Sequence, residues 1–354
     1  MILIISNRTI NLQAQGPDVF EACLNPVGAT DVVLAKAEQE PTGNWQINLV
    51  PMPPQGSWMD CGPSCELLMQ LVQRMKSREE DHHPGGLRFD HDNKTYNWIF
   101  LIPGYSSTAQ SGLDQARKLE QEYDANVMLF SWPADPLGLD RPTTAESAYR
   151  QAQAAARVSA IQLDRSLERL ALLFSQPLRS AANPPGLRFC LLIHSLGNYV
   201  FESYIRNPVY GGETGIFDTI VMHQPDVSEQ GLEEWVPRIA FRDALYLTIN
   251  EFDAVLRVSS LVNGVRAGLA GGADPKRLVK FIDFTHGRNV QVSHFMFTDL
   301  DNQVIHEACK RMIRGVPGGG DFNMSLDGAG GFTLHRDINM YVLNDQEWNK
   351  PSRR

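Results

Sequence analysis

From Tyr96 onward the chain repeats one pattern, an apolar run cut off by a turn residue and followed by a helix-patterned stretch. "NWIFLIPGY" ends in Pro-Gly, "NVMLFSWP" in Pro133, "RFCLLIHS" in a polar turn, and "DTIVMHQPD", "ALYLTINEFD" and "LVKFIDFTH" follow suit. Runs this short and this continuously apolar are strands buried on both faces, because a strand with one wet face would alternate. The intervening "SGLDQARKLEQEY", "AESAYRQAQAAARVSAIQLDRSLERLALLF", "NYVFESYIRN" and "NQVIHEACKRMIRG" carry apolar residues at three- and four-residue steps. Strands alternating with helices predict an α/β fold: a mostly parallel central sheet with helices on both faces.

The flanks are different. Residues 1–95 read as an N-terminal sheet edge with insertions: "MILIISNR" and "NWQINLVP" as strands, a Pro/Gly-rich loop at 51–62, and a helix in "CELLMQLVQRMKSREE". Residues 96–315 form the core, and 316–354 a glycine-rich C-terminal extension with a short hairpin, all within a single domain over 1–354. The opening "MILIISNR" lacks a basic n-region and a small-residue cleavage site, so it reads as a first strand, not a signal peptide. No apolar run is long enough to span a bilayer. A net charge of -9 without a dense Lys/Arg run argues against nucleic acid as a partner.

Five cysteines do not suggest a disulfide framework, and a cytoplasmic protein with free thiols is expected. Cys61 and Cys65 are four apart with no second Cys/His pair to complete a zinc site. His82, His83 and His91 beside Asp81, Asp90 and Asp92 read as a solvated loop. No metal and no cofactor is therefore expected.

In an open parallel sheet, reactive groups gather at the carboxyl ends of the strands. Three strand ends supply a nucleophile, an acid and a base in the order Ser195, Asp253, His294, which is the chain order of an α/β-hydrolase triad. Ser195 would stand on a strand-to-helix elbow, where small residues two positions before and after it avoid clashes. Gly197 meets that need and Ile193 does not, so the G-x-S-x-G signature is incomplete. Two rivals compete: Asp226, after the preceding strand, for the acid, and His286, nearer its strand, for the base. Asp253 is preferred because the acid usually comes from one strand further on.

"FLIPGYSSTAQSGLDQARKLEQEYDANVMLFSWPAD", "LLIHSLGNYVFE", "VMHQPDVS", "FDAVLRVS", "SHFMF" and the opening "IISNR" together resemble a poorly characterised bacterial branch of the α/β-hydrolases. That branch carries F-S-W-P and H-S-x-G-N motifs and a T-N-R start, and the likeness covers roughly residues 1–310. This chain departs from it at Pro103, where the group has His, and at Ser106, where it has Asn. The resemblance implies an α/β-hydrolase fold, hydrolase activity, and triad roles for Ser195, Asp253 and His294. His294 is preferred over His286 because "SHFMF" is the matching segment.

An esterase of this kind needs an oxyanion hole, expected from the backbone N–H groups of Tyr105 and Leu196. Gly104, Ser106, Trp132, His194 and Asp226 are candidate pocket residues. His223 and Tyr149 read as packing residues, and Asp226 can instead brace a loop. The expected partner is a small-molecule ester or acyl compound. A thioesterase, amidase or peptidase with the same triad is the alternative chemistry, and a non-catalytic binding module the alternative class. Residues 259–277 are glycine-rich enough to form either a flap or an ordinary loop.

Overall fold

The computed structural model describes residues 1–24, 32–50, 63–77, 87–91, 93–134, 144–179, 186–274, 276–315, 325–326, 330–335 and 339–344. The 51–62 loop with Cys61, the positions Asp81, His82, His83 and Asp92, and the 316–324 glycine run lie outside the described residues.

The elements are β1 (Ile2–Ser6), β2 (Arg8–Ile10), β3 (Phe20–Leu24), β4 (Val33–Gln39), β5 (Trp45–Leu49), α1 (Pro63–Ser77), β6 (Thr95–Ile102), α2 (Ala109–Tyr123) and β7 (Asn126–Ser131). Then come α3 (Ala145–Arg179), β8 (Gly186–His194), α4 (Gly197–Ile205), β9 (Thr219–His223), α5 (Leu232–Trp235), β10 (Ala244–Ile249), α6 (Ala254–Asn263) and α7 (Ala267–Ala270). Last are β11 (Val279–Asp283), α8 (Gln303–Arg314), β12 (Ser325–Leu326), β13 (Gly330–His335) and β14 (Met340–Asn344).

Among the described residues, a 12-stranded sheet runs in the order β12-β13-β14-β11-β10-β9-β8-β6-β7-β1-β4-β5. From β14 to β1 every neighbouring pair is parallel, and the two outer pairs at each end are antiparallel. The protein is thus α/β, with a large, mostly parallel sheet. Its C-terminal β13–β14 hairpin extends the sheet by laying β14 alongside β11. The opening apolar run is broken at Asn7, whose buried side chain turns away to Ser159 Oγ (2.8 Å) and Gln162 Oε1 (3.3 Å) of α3.

Alternation along the buried runs divides the core in two. Trp98, Phe100 and Ile102 of β6 pack on one face with α1, α3 and α4, while Ile99 and Leu101 pack on the other with α2 and α8. Both faces are covered, so the unbroken apolar pattern of the central strands is what their burial demands.

Topology also fixes where a crevice forms. From β6 the chain runs through α2 to β7 on one side, then returns through α3 to β8 on the other. Loops leaving the carboxyl ends of β6 and β8 therefore diverge, and this switch of direction is where open α/β sheets hold ligands.

Candidate active site

Ser195 follows β8 directly and adopts φ 51°, a left-handed conformation for a residue bearing a Cβ. Such backbone costs about 1–2 kcal/mol and persists only where neighbours enforce it. Here they do. Its N–H donates to His223 O (3.0 Å), and its carbonyl accepts from Asn198 N (3.0 Å), Asn198 Nδ2 (3.1 Å) and Asp226 N (3.1 Å). Ser106 after β6 (φ 62°) and Gln224 after β9 (φ 44°) are strained in the same way, so three adjacent strand ends share the feature.

The glycine missing at position 193 is explained by packing. Ile193 is fully buried, paired with Ile102 of β6, and points into the α3/α4 side of the core. Room is instead needed between the β8 elbow and the turn after β6. A Cβ on Gly197 would sit 2.7 Å from both the Ile102 and Pro103 carbonyl oxygens, and one on Gly104 would sit 2.7 Å from Ser195 Cβ. Gly104 and Gly197 are the two small residues this elbow requires.

Asp253 is completely buried and caps α6. Its Oδ1 accepts from the N–H groups of Val255 (2.9 Å) and Leu256 (3.0 Å), and its Oδ2 meets His294 Nδ1 at 2.6 Å. The helix N-terminus fixes the carboxylate and favours its charge, leaving one oxygen for the imidazole. His294 lies in an irregular segment stitched to the strand ends. Asn250 Nδ2 donates to Gln291 O (3.1 Å) and Ser293 O (2.9 Å), His194 Nε2 donates to His294 O (3.2 Å), and Met296 N–H donates to His223 Nε2 (3.1 Å).

His194 links the two halves: it precedes Ser195, and its ring lies 4.6 Å from that of His294. Its pKa is held well below 6.5 by burial first, then by the charges of His294 and His223; that of His223 is lowered by burial and then His294. Among the described residues neither Ser195 Oγ nor His294 Nε2 has a hydrogen-bond partner, so both atoms are uncommitted and their mutual contact is open.

The turn after β6 and the start of α4, where an oxyanion hole was expected, have a defined geometry. The Leu196 N–H, just ahead of α4, donates to no group among the described residues, whereas the Ser106 N–H is taken by Ala134 O (3.0 Å). Trp132 is fully buried and donates Nε1–H to Pro103 O (3.0 Å), anchoring the turn that carries Gly104 and Tyr105. The Tyr105 ring packs against Tyr149 at 5.7 Å. Buried Arg8 braces the turn from behind through Ser107 O (2.8 Å) and Trp132 O (2.5 Å).

The two rivals go elsewhere. His286 is exposed and packs on Phe252 at 6.2 Å, and the imidazole that meets Asp253 is that of His294. Asp226 is buried and committed: Oδ1 accepts from Ser259 Oγ (2.7 Å) and Arg266 Nε (2.8 Å), and Oδ2 from Tyr149 OH (2.6 Å). Burial, then the Asp226 charge, raises the Tyr149 pKa and keeps the phenol protonated. The 259–277 stretch is not a loose flap at its start. Ser259, Arg266, Ala267 and Gly268 are buried, and a Cβ on Gly268 would meet the Gln224–Pro225 backbone at 2.7 and 2.9 Å.

Sequence reasoning gave no role to Gln224, Thr248, Asn198 or Arg8, although Asn198 ends the "HSLGN" segment and Arg8 the "IISNR" segment. Gln224 and Thr248 had no signal beyond being polar near the end of an apolar run. No group of three or more metal-ligating side chains occurs among the described residues, and no helix there is long and apolar enough to cross a membrane. Asp90 instead accepts from Arg314 Nη1 (2.9 Å), Asn93 and Asn97. No known family model matches the chain, and no curated protein matches it.

Proposed function

We propose that the protein is a cytoplasmic serine hydrolase of the α/β-hydrolase fold, acting on carboxylic esters through Ser195, His294 and Asp253. The observation that carries this reading is the 2.6 Å contact between His294 Nδ1 and a buried, helix-capping Asp253, beside a serine on a strained elbow. An imidazole oriented by a buried carboxylate at Nδ1 has its Nε2 ready to accept a proton. A cytoplasmic location rests on the unpaired Cys23, Cys190 and Cys309.

In this mechanism His294 Nε2 takes the Ser195 proton as Oγ attacks the ester carbonyl. Asp253 holds the tautomer and stabilises the imidazolium. The Leu196 N–H, with that of Tyr105, receives the oxyanion, and losing one such donor typically costs about 3 kcal/mol of transition-state stabilisation. The imidazolium then protonates the departing alcohol, and water, deprotonated by His294, releases the acid and restores Ser195. Ester rather than amide or thioester follows from the common use of this fold, not from a residue.

The open contact between Ser195 and His294 favours a second reading, a non-catalytic binding module. A fluorophosphonate probe separates the two. Wild type is expected to label at Ser195, Ser195→Ala to be inert, and p-nitrophenyl esters to be cleaved only by the former. Equal labelling of both proteins, or of neither, would falsify the hydrolase assignment.

A further inference from the structure

Asp253 and the three fully buried polar side chains behind it, His223, Gln224 and Thr248, have only one consistent assignment of hydrogens. His223 Nε2 faces the Met296 N–H at 3.1 Å and must be the acceptor, so the proton sits on Nδ1 and is donated to Thr248 Oγ1 at 2.8 Å. Thr248 Oγ1 also accepts the Gln224 backbone N–H at 3.0 Å. Both hydroxyl lone pairs are then used, and its own proton is left for the Gln224 amide, 3.3 Å away. That end of the amide must therefore be the oxygen. Its nitrogen then points to Asp253 Oδ2 (3.1 Å) and Gly268 O (3.2 Å), both of which only accept.

We infer that Gln224 is a positioning residue for the catalytic acid: its amide donates to the same Asp253 oxygen that receives His294 Nδ1–H, at the end of a one-way chain from Met296 N–H through His223 and Thr248. This rests on the hydrolase reading for its catalytic consequence, but not for its geometry. The chain closes a loop. Met296 lies two residues beyond His294, so the segment carrying the base also sends, through His223, Thr248 and Gln224, the donor that holds the acid. A buried carboxylate oxygen with two donors has one rotamer, and its imidazole partner one ring plane. Gln224, which carries this amide, holds the strained φ of 44°.

The titratable groups of this chain are His223 within it and Asp253 at its end, with His294 on Asp253 and His194 against both imidazoles. Removing the Gln224 donor concentrates charge on Oδ2 toward His294. The imidazolium is then better stabilised, and the acid limb of the rate profile moves to higher pH.

The test is Gln224→Met, which keeps size and Cβ but no donor, alongside Thr248→Ser, which keeps the hydroxyl. With wild type labelled at Ser195, Gln224→Met is expected to lower kcat on p-nitrophenyl acetate about ten- to a hundredfold at nearly unchanged KM. It should also raise the pH of the acid limb, whereas Thr248→Ser stays near wild type. If Gln224→Met does not fold, Gln224→Asn, whose shorter amide cannot reach both Thr248 and Asp253, is measured instead and must move the limb in the same direction. Following the His294 imidazole by proton–nitrogen NMR needs no turnover, so it reads the positioning claim even if Ser195 proves inert. An unchanged His294 titration and unchanged kcat in Gln224→Met overturn the inference and leave the hydrolase reading standing. Absence of Ser195 labelling in wild type overturns that reading alone.

Discussion

Two buried aspartates, each following a central strand, have opposite fates. Asp226 follows β9 and Asp253 follows β10, and each is at most 1% exposed. Asp226 spends its oxygens on a guanidinium, a hydroxyl and a phenol, and its N–H on the elbow carbonyl. Asp253 spends one oxygen on a helix terminus and gives the other to an imidazole and an amide. Burial and position do not distinguish the two carboxylates; their partners do. A carboxylate matched to a buried Arg has no spare capacity to steer a histidine.

Neutralising each in turn is the sharpest way to break the contrast. Asp253→Asn should lower kcat about ten-thousandfold, because the amide favours the wrong imidazole tautomer, while the unfolding midpoint moves little. Asp226→Asn should do the reverse. It leaves Arg266 (side chain 4% exposed) without its anion, and a loss of about 3–5 kcal/mol in a urea titration is expected. If Asp226→Asn abolished turnover in a protein of undiminished stability, the division of labour drawn here would be wrong.

The comparison extends to the histidines, since His294 reaches the rim while His194 and His223 lie beneath it. Burial depresses the pKa of both buried rings in the folded state relative to an unfolded value near 6.5. Above that pH both states are neutral and the pair contributes nothing to pH dependence. Below it the unfolded chain binds protons the folded one refuses, so stability falls as pH falls, by about 1.4 kcal/mol per pH unit for each histidine. Urea midpoints measured from pH 7.5 down to 5 should show this slope, and His223→Asn should remove roughly half of it. The smallest expected effect is that of Tyr149→Phe, which deletes one of three donors on Asp226 and should cost about 1.5 kcal/mol in thermal unfolding with labelling of Ser195 retained.

Much of the scaffold was legible because burial on both faces leaves an unmistakable signature. Runs such as "FLIPG" and "LLIHS" have no polar alternation, since neither side of β6 or β8 meets water. Strand ends were legible for the same reason: the first polar residue after each run marks where the sheet stops. The network behind Asp253 was not. Thr248 sits inside the apolar run "ALYLTI" and reads as strand filler, and Gln224 follows "IVMH" like any turn residue. Their meaning comes from a contact between positions 24 residues apart, which no local period encodes. The absent glycine before Ser195 was legible as a departure, but not its remedy, since the close approach is made by Gly104 on a neighbouring strand's turn.

The sequence by itself determined the layered α/β architecture and the positions at which polar chemistry could surface, because hydrophobic periodicity records burial residue by residue. Only the tertiary structure decided that the C-terminal hairpin completes the sheet beside β11, that His294 rather than His286 meets Asp253, and that Asp226 is tied to Arg266. Those choices depend on distances between segments brought together by the sheet order, and the direction of a hydrogen bond exists only once both of its partners are in place.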